Sequence, residues 1–183
     1  MSKNTLFPIF LKTDQAHFLI VGGGNIGLEK TETLLKQNPE VKITIVSPDF
    51  LEEVKNISAQ NSNVTLKQKL FDETDLESVD FVIAATNIKE INAEIKTLAN
   101  ARKILVNAAD QPDLCDFYLG SIVNKGNLKI AISTNGKSPT IAKRLKYLII
   151  KKPETRTNKP PIVNSVLFTI LLALFTTKID FSN

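Results

Sequence analysis

The chain has 183 residues, 43% of them hydrophobic, enough for one globular core with an extension. A single cysteine, Cys115, excludes an internal disulfide framework and fits a reducing compartment, and a single histidine, His17, leaves no His/Cys set for a metal centre. The net charge of +4 is uneven: from Lys137 onward nine basic residues face two acidic ones, against fourteen and seventeen before it, which points to an anionic partner for the C-terminal third, either nucleic acid or a polycarboxylate or phosphate ligand; without Trp or regularly interleaved aromatics, stacking on single strands is not expected.

No basic-then-apolar leader pattern opens the chain. Residues 7–11 (FPIFL) read as an apolar opening segment that packs onto the first strand. His17 starts that strand and reads as a surface residue. Four apolar residues, 18–21, run into Gly22, Gly23 and Gly24, then Asn25, Ile26 and Gly27, and a helical segment over 28–35. Gly22, Gly24 and Gly27 fill the three positions of G-x-G-x-x-G between a strand and a helix. The first suits the turn, the second admits a pyrophosphate, and the third lets helix and strand pack closely. The helix N-terminus then offers free N–H groups to the phosphates.

Residues 41–46 (VKITIV) alternate and are β-branched, so they read as the second strand, ended by Ser47, Pro48 and Asp49. A helical spacing covers 50–60, a short strand 64–66, and an acidic turn at 72–75 starts a short helix. Residues 80–85 form the continuous apolar run of a doubly buried parallel strand. A helix over 88–101 and a strand over 103–107 follow. This β-α alternation predicts a Rossmann-like, doubly wound parallel α/β sheet, whose ligands bind at the carboxyl ends of the strands. The residues after those strands are therefore the candidates: 22–26, 47–49, Thr86, Asn87 and 107–110. Ser47 stands where an acid usually grips the ribose. Asp49 is the nearest substitute, Pro48 would lie against the adenine, and no arginine is present for a 2′-phosphate, which favours NAD over NADP.

Beyond Asp110 the pattern changes. Residues 111–118 are polar and turn-rich, 128–133 (LKIAIS) alternate as a strand, and a polar loop leads to a helix over 140–150, with Ser138 as N-cap and Pro139 at its first position. Six basic residues and no acidic one lie between Lys137 and Lys152. The run over 166–175 is apolar but too short to span a membrane, which takes about 20 residues. It reads as a tail packed on the body or on a dimer partner, as a sequence altered by truncation or frameshift, or as an interfacial membrane segment.

Five stretches together resemble the precorrin-2 dehydrogenases, which form the N-terminal module of siroheme synthases: LFPIFL at 6–11, VGGGNIGLEK at 21–30, IAATN at 83–87, VNAAD at 106–110, and ISTNGKSP at 132–139 followed by AKRL at 142–145. The resemblance implies NAD-dependent oxidation of precorrin-2 to sirohydrochlorin in siroheme biosynthesis, with ferrous iron as a second substrate in some members, in a cytoplasmic homodimer. Carried over by position, it makes Asp110 the acid/base and the candidate metal-handling residue. Cofactor contacts are expected from Gly22, Gly23, Gly24, Asn25, Ile26, Pro48, Asp49, Thr86 and Asn107. Ser133, Lys137 and Ser138 are expected on the substrate side, where the basic stretch draws in a polycarboxylate and Leu114, Phe117 and Tyr118 offer an apolar floor. Asp113 and Asp116 read as loop and cap residues. Thr134 aligns with a serine that is phosphorylated in some members.

The implied division is an NAD-binding domain over 1–112, a small α+β dimerisation and tetrapyrrole-cleft region over 113–152, and an atypical hydrophobic tail over 153–183. Two features depart from the family: Gly120 stands where proline is common, and the tail replaces a charged helical domain. The competing reading is a non-enzymatic NAD-binding regulatory module of a transporter or sensor. It shares the glycine loop, but it usually keeps an acid where Ser47 stands and has no use for residues 133–139.

Overall fold

The computed structural model describes residues 5–135 and 138–151. Lys137 and the tail at 153–183 lie outside the described residues. Five strands, β1 (His17–Gly23), β2 (Lys42–Phe50), β3 (Val64–Gln68), β4 (Phe81–Ala84) and β5 (Leu105–Ala108), form one sheet in the order β3-β2-β1-β4-β5. Every neighbouring pair in it is parallel. Helices α1 (Asn25–Gln37), α2 (Glu52–Gln60) and α3 (Lys89–Ala101) connect the strands.

Alternation along β1 explains the layering. Phe18 and Ile20 enter a cluster with Leu34 of α1 and Val54 of α2, while Leu19 and Val21 enter another with Ile95 and Ala99 of α3. Successive side chains leave opposite faces of a strand, so a strand covered on both sides must be apolar at every position. Ile20, Ile45, Ile83 and Val106 are fully buried.

Four details differ from the sequence expectation. First, β2 does not end at residue 46. It runs to Phe50 through Pro48, because the pairing with β1 shifts between Val21 and Gly23, where Gly23 meets Phe50. A bulge leaves residues without a ladder partner, so a proline there breaks no hydrogen bond. Second, residues 7–11 are exposed and do not pack onto β1; Phe7 is 85% exposed. Third, a further strand, β6 (Ser121–Lys125), pairs antiparallel with β7 (Leu128–Ile132) as a separate two-stranded sheet. Its turn is Gly126-Asn127, with Gly126 at φ +55°, a two-residue hairpin signal present in the sequence but not read from it. Fourth, His17 is half-buried rather than a free surface residue.

The acidic turn and the last helix form where the sequence places them. The acidic turn is a 3-10 helix (Glu73–Leu76) closed by a capping box between Asp72 and Asp75. The last helix, α4 (Pro139–Lys151), starts with the Ser138 hydroxyl accepting from the Ile141 N–H at 3.3 Å. No helix among the described residues is long and apolar enough to cross a membrane.

His17 ties together the amino ends of three strands. Its Nδ1–H donates to the Ser78 carbonyl at 2.7 Å, which leaves Nε2 to accept from the Thr44 hydroxyl at 2.8 Å. Burial lowers its pKa below the ordinary 6.5, assisted by Lys42 and opposed by the Ser78 carbonyl. The folded protein therefore holds the proton less readily than the unfolded chain. Stability is full above pH 6.5 and declines as pH falls through the folded value. Urea unfolding followed from about pH 7.5 down to about pH 5 will show the wild type losing stability faster than His17→Gln.

Gly27 yields a second prediction. A Cβ there would stand 2.0 Å from the Gly22 carbonyl oxygen, a backbone atom with no freedom to yield. Gly27→Ala is expected to cost about 3 kcal/mol in the same unfolding assay.

Candidate functional site

The sheet order places its switch point between β1 and β4, and a cleft of about 460 Å³ opens there. Residues 21–26, Ser47, Pro48, Ala85, Thr86 and Asn87 line it, with Leu70, Phe71, Ile88 and Ile91 as apolar walls. The glycines divide the work among them. Gly22 has φ +121°, and a Cβ on it would meet the Ala85 carbonyl oxygen at 2.5 Å. Gly23 presses on the end of β2, where a Cβ would meet the Asp49 carbonyl oxygen at 2.5 Å. Gly24 alone of the four has nothing within 4 Å of its Cβ position, so its open side faces the cleft.

Gly24 is also the N-cap of α1. No side chain caps that helix, and no acidic residue stands in its first turn. Its first N–H groups and the positive end of its dipole are therefore available to an anion. A smooth backbone wall, an uncapped helix start and apolar sides fit a dinucleotide pyrophosphate with its flanking rings.

A second cleft of about 390 Å³ lies beside the first. Glu29 and Lys30 of α1 line one side, and residues 107–112, Cys115, Tyr118 and Leu119 line the other. Ile26 lines both clefts. Asp110 is exposed here at φ +56°, a left-handed backbone that aspartate tolerates better than most residues.

The loop bearing Asp110 is pinned to β5 residue by residue. Val106 exchanges two hydrogen bonds with Asp116: its N–H donates to the carboxylate at 2.8 Å, and its carbonyl accepts the Asp116 N–H at 2.8 Å. The Asn107 amide donates to the Phe117 carbonyl at 2.8 Å. The Cys115 thiol donates to the Ala108 carbonyl at 3.2 Å. Burial raises the thiol's pKa, so Cys115 is a packing residue and not an activated nucleophile. Lys96 of α3 pairs with Asp116 from outside.

The expected site residues are thus distributed unevenly. Gly22, Gly23, Gly24, Asn25, Ile26, Pro48 and Thr86 share the first cleft. Thr86 is tied down there: its hydroxyl lies 2.7 Å from Oδ1 of the buried Asn92, whose own amide donates to the Thr86 carbonyl. Asn92 carries no sequence signal beyond being a polar residue inside a helix. Asp49 is exposed and outside the lining, and Asn107 lies in the second cleft with Asp110. Ser133 and Ser138 line neither cleft. The Ser133 hydroxyl accepts from the Asn135 N–H, and that of Ser138 caps α4. Of the apolar floor, Tyr118 lines the second cleft, whereas Leu114 packs beneath α3 and the Phe117 ring stands edge-on to Phe81.

Comparison with known proteins agrees with this geometry. Residues 9–121 match an NAD(P)-binding family, and residues 125–151 match a family described as the sirohaem biosynthesis protein central region. A siroheme synthase of Pseudoalteromonas translucida is 40% identical over 139 residues, and one of Nitrosococcus oceani is 37% identical over 139. Each alignment takes in 76% of this chain, which spans 29% of the length of either relative. A solved structure titled SirC, precorrin-2 dehydrogenase, superposes with a TM-score of 0.68 at 26% identity, over 96% of this chain and 83% of that one.

Gly24→Ala separates binding from folding. The added methyl enters open space, so stability falls by no more than about 1 kcal/mol, the cost of a poorer N-cap. Dinucleotide affinity measured by calorimetry is expected to drop about tenfold or more.

Proposed function

Since this chain belongs to the NAD(P)-binding family matched over residues 9–121, we propose that it is an NAD-dependent dehydrogenase that oxidises precorrin-2 to sirohydrochlorin. One observation carries the reading: the cofactor cleft and the Asp110 cleft adjoin, with Ile26 lining both. Removing two hydrogens from a carbon framework needs a hydride acceptor and a proton acceptor side by side. NAD, when bound, supplies the hydride acceptor. Asp110 takes the proton on its carboxylate, from a backbone position held by the 115–117 loop. The uncapped first turn of α1 holds the pyrophosphate, and the apolar walls exclude water from the ring sites.

NAD is preferred to NADP because no arginine directly follows β2 to hold a 2′-phosphate in its planar fork. The nearby Lys67 and Lys69 are both paired with the buried Asp75, at 3.0 and 2.8 Å. Burial alone would raise the Asp75 pKa, and the hydrogen bonds from Lys69 and Lys67 outweigh it and hold the group ionised. Ferrous iron enters this reading only as a second substrate at Asp110. Among the described residues no group of three or more His, Cys, Asp or Glu side chains forms a metal cage.

Dimerisation is assigned to residues 113–152. Leu148 and Ile150 of α4 are each 57% exposed, which is costly for a free surface. Ser133 and Ser138, away from their own chain's clefts, would then reach the substrate from the partner. A reducing, cytoplasmic setting suits a chain with a single cysteine.

The test is anaerobic incubation of the protein with precorrin-2 and NAD, following sirohydrochlorin absorbance. Binding of NAD without turnover would return the chain to the regulatory class. Asp110→Asn keeps the side chain's shape and its tolerance of positive φ but removes the proton acceptor. Turnover is expected to fall about a hundredfold, with NAD affinity unchanged.

A further inference from the structure

We propose that Lys30 and Gln111 form a carboxylate subsite in the second cleft, which takes one acid side chain of the substrate and fixes the macrocycle against Asp110. The inference rests on the tetrapyrrole reading above and adds to it the residues that would orient the ring.

Lysine usually keeps its ammonium in water, yet the Lys30 side chain is only 20% exposed. Among the described residues lining this cleft it is the one cation. Its ammonium lies 3.0 Å from the carboxylate of Glu29, the preceding residue, which is itself 68% exposed. Adjacent positions on a helix do not face each other, so this pair is not one that helix geometry favours. Glu29 occupies one of three ammonium donors and leaves the others for a ligand.

The opposite wall holds a second unmet group. Gln111 Oε1 is buried and has no hydrogen-bond partner, alone in this among side-chain atoms of the described residues. That oxygen has almost no accessible surface, so the amide gains a partner only by turning outward into the cleft, where it can present its N–H donors to an arriving anion. An ammonium on one wall and, once turned outward, an amide N–H on the other suit an anion with two acceptor oxygens. Gln111 directly follows Asp110, so a carboxylate held there places the attached ring beside the proton acceptor. In this arrangement Glu29 is a resident competitor that the substrate's acid group displaces.

The test uses the full chain and titrates sirohydrochlorin by its fluorescence, with NAD binding measured separately. Lys30→Met, which keeps the aliphatic stem, is expected to weaken sirohydrochlorin binding about tenfold and leave NAD affinity within about twofold. Lys30→Arg is expected to retain binding. Glu29→Gln, which removes the competitor, is expected to tighten it about threefold. In turnover, Lys30→Met raises KM for precorrin-2 and keeps kcat. Wild-type affinity in Lys30→Met overturns the subsite while wild-type turnover upholds the dehydrogenase. A wild type that binds sirohydrochlorin but does not oxidise precorrin-2 overturns the dehydrogenase and leaves the subsite to be judged by the binding series. A wild type that binds no tetrapyrrole overturns both.

Discussion

Backbone meets backbone between residues 22 and 27, and the rest of the site depends on that contact. Gly22 abuts the end of β4, Gly23 abuts the end of β2, and Gly27 lets α1 lie against Gly22 itself. Three elements converge on one loop because three Cβ atoms are missing. A single methyl at any of these positions would push a strand or helix away and open the cleft. Gly24 is the exception, and its emptiness is what a ligand would use.

The same economy of side chains aims the helix. With Gly24 as an N-cap that caps nothing, the first turn of α1 keeps its N–H groups unspent beside the cleft. One turn further, the same helix sends Glu29 and Lys30 into the neighbouring cleft. Helix α1 therefore serves both compartments, with Ile26 at their border. Two polar fastenings add to the stability of the sheet. His17 ties the amino ends of the strands, far from the cleft, whereas Asp75 with its two lysines anchors the carboxyl end of β3 beside Leu70 and Phe71, which line the cleft.

Most of the fold was legible because parallel strands buried on both faces must be apolar throughout. The runs at 18–21 and 81–85 obey that rule, and the strand at 41–46 shows instead in its alternation of β-branched residues. Errors arose where local pattern and tertiary pairing part company. Pro48 looked like the end of β2, but a register shift against β1 excuses it from donating. Ser121–Lys125 alternates too weakly, being largely half-exposed, to stand out as a strand without its hairpin partner. Residues 7–11 are apolar enough to suggest a place in the core, yet the sheet offers their side chains no cover.

By itself the sequence determined the fold class, the glycine loop and the position of Asp110 at a strand end. These follow from rules within a few neighbouring residues: hydrophobic period, backbone freedom and order along the chain. Only the tertiary structure decided which candidates share a cleft. Thr86 is bound to Asn92, Asn107 turns to Phe117, Asp49 stands outside, and Ser133 and Ser138 serve a turn and a cap. A polar side chain points where its partner lies, and several of these partners come from later elements that no local pattern places beside it. Lys30 and Gln111 are the clearest instance, since α1 and the loop after β5 become the two walls of one cleft only when the sheet closes between them.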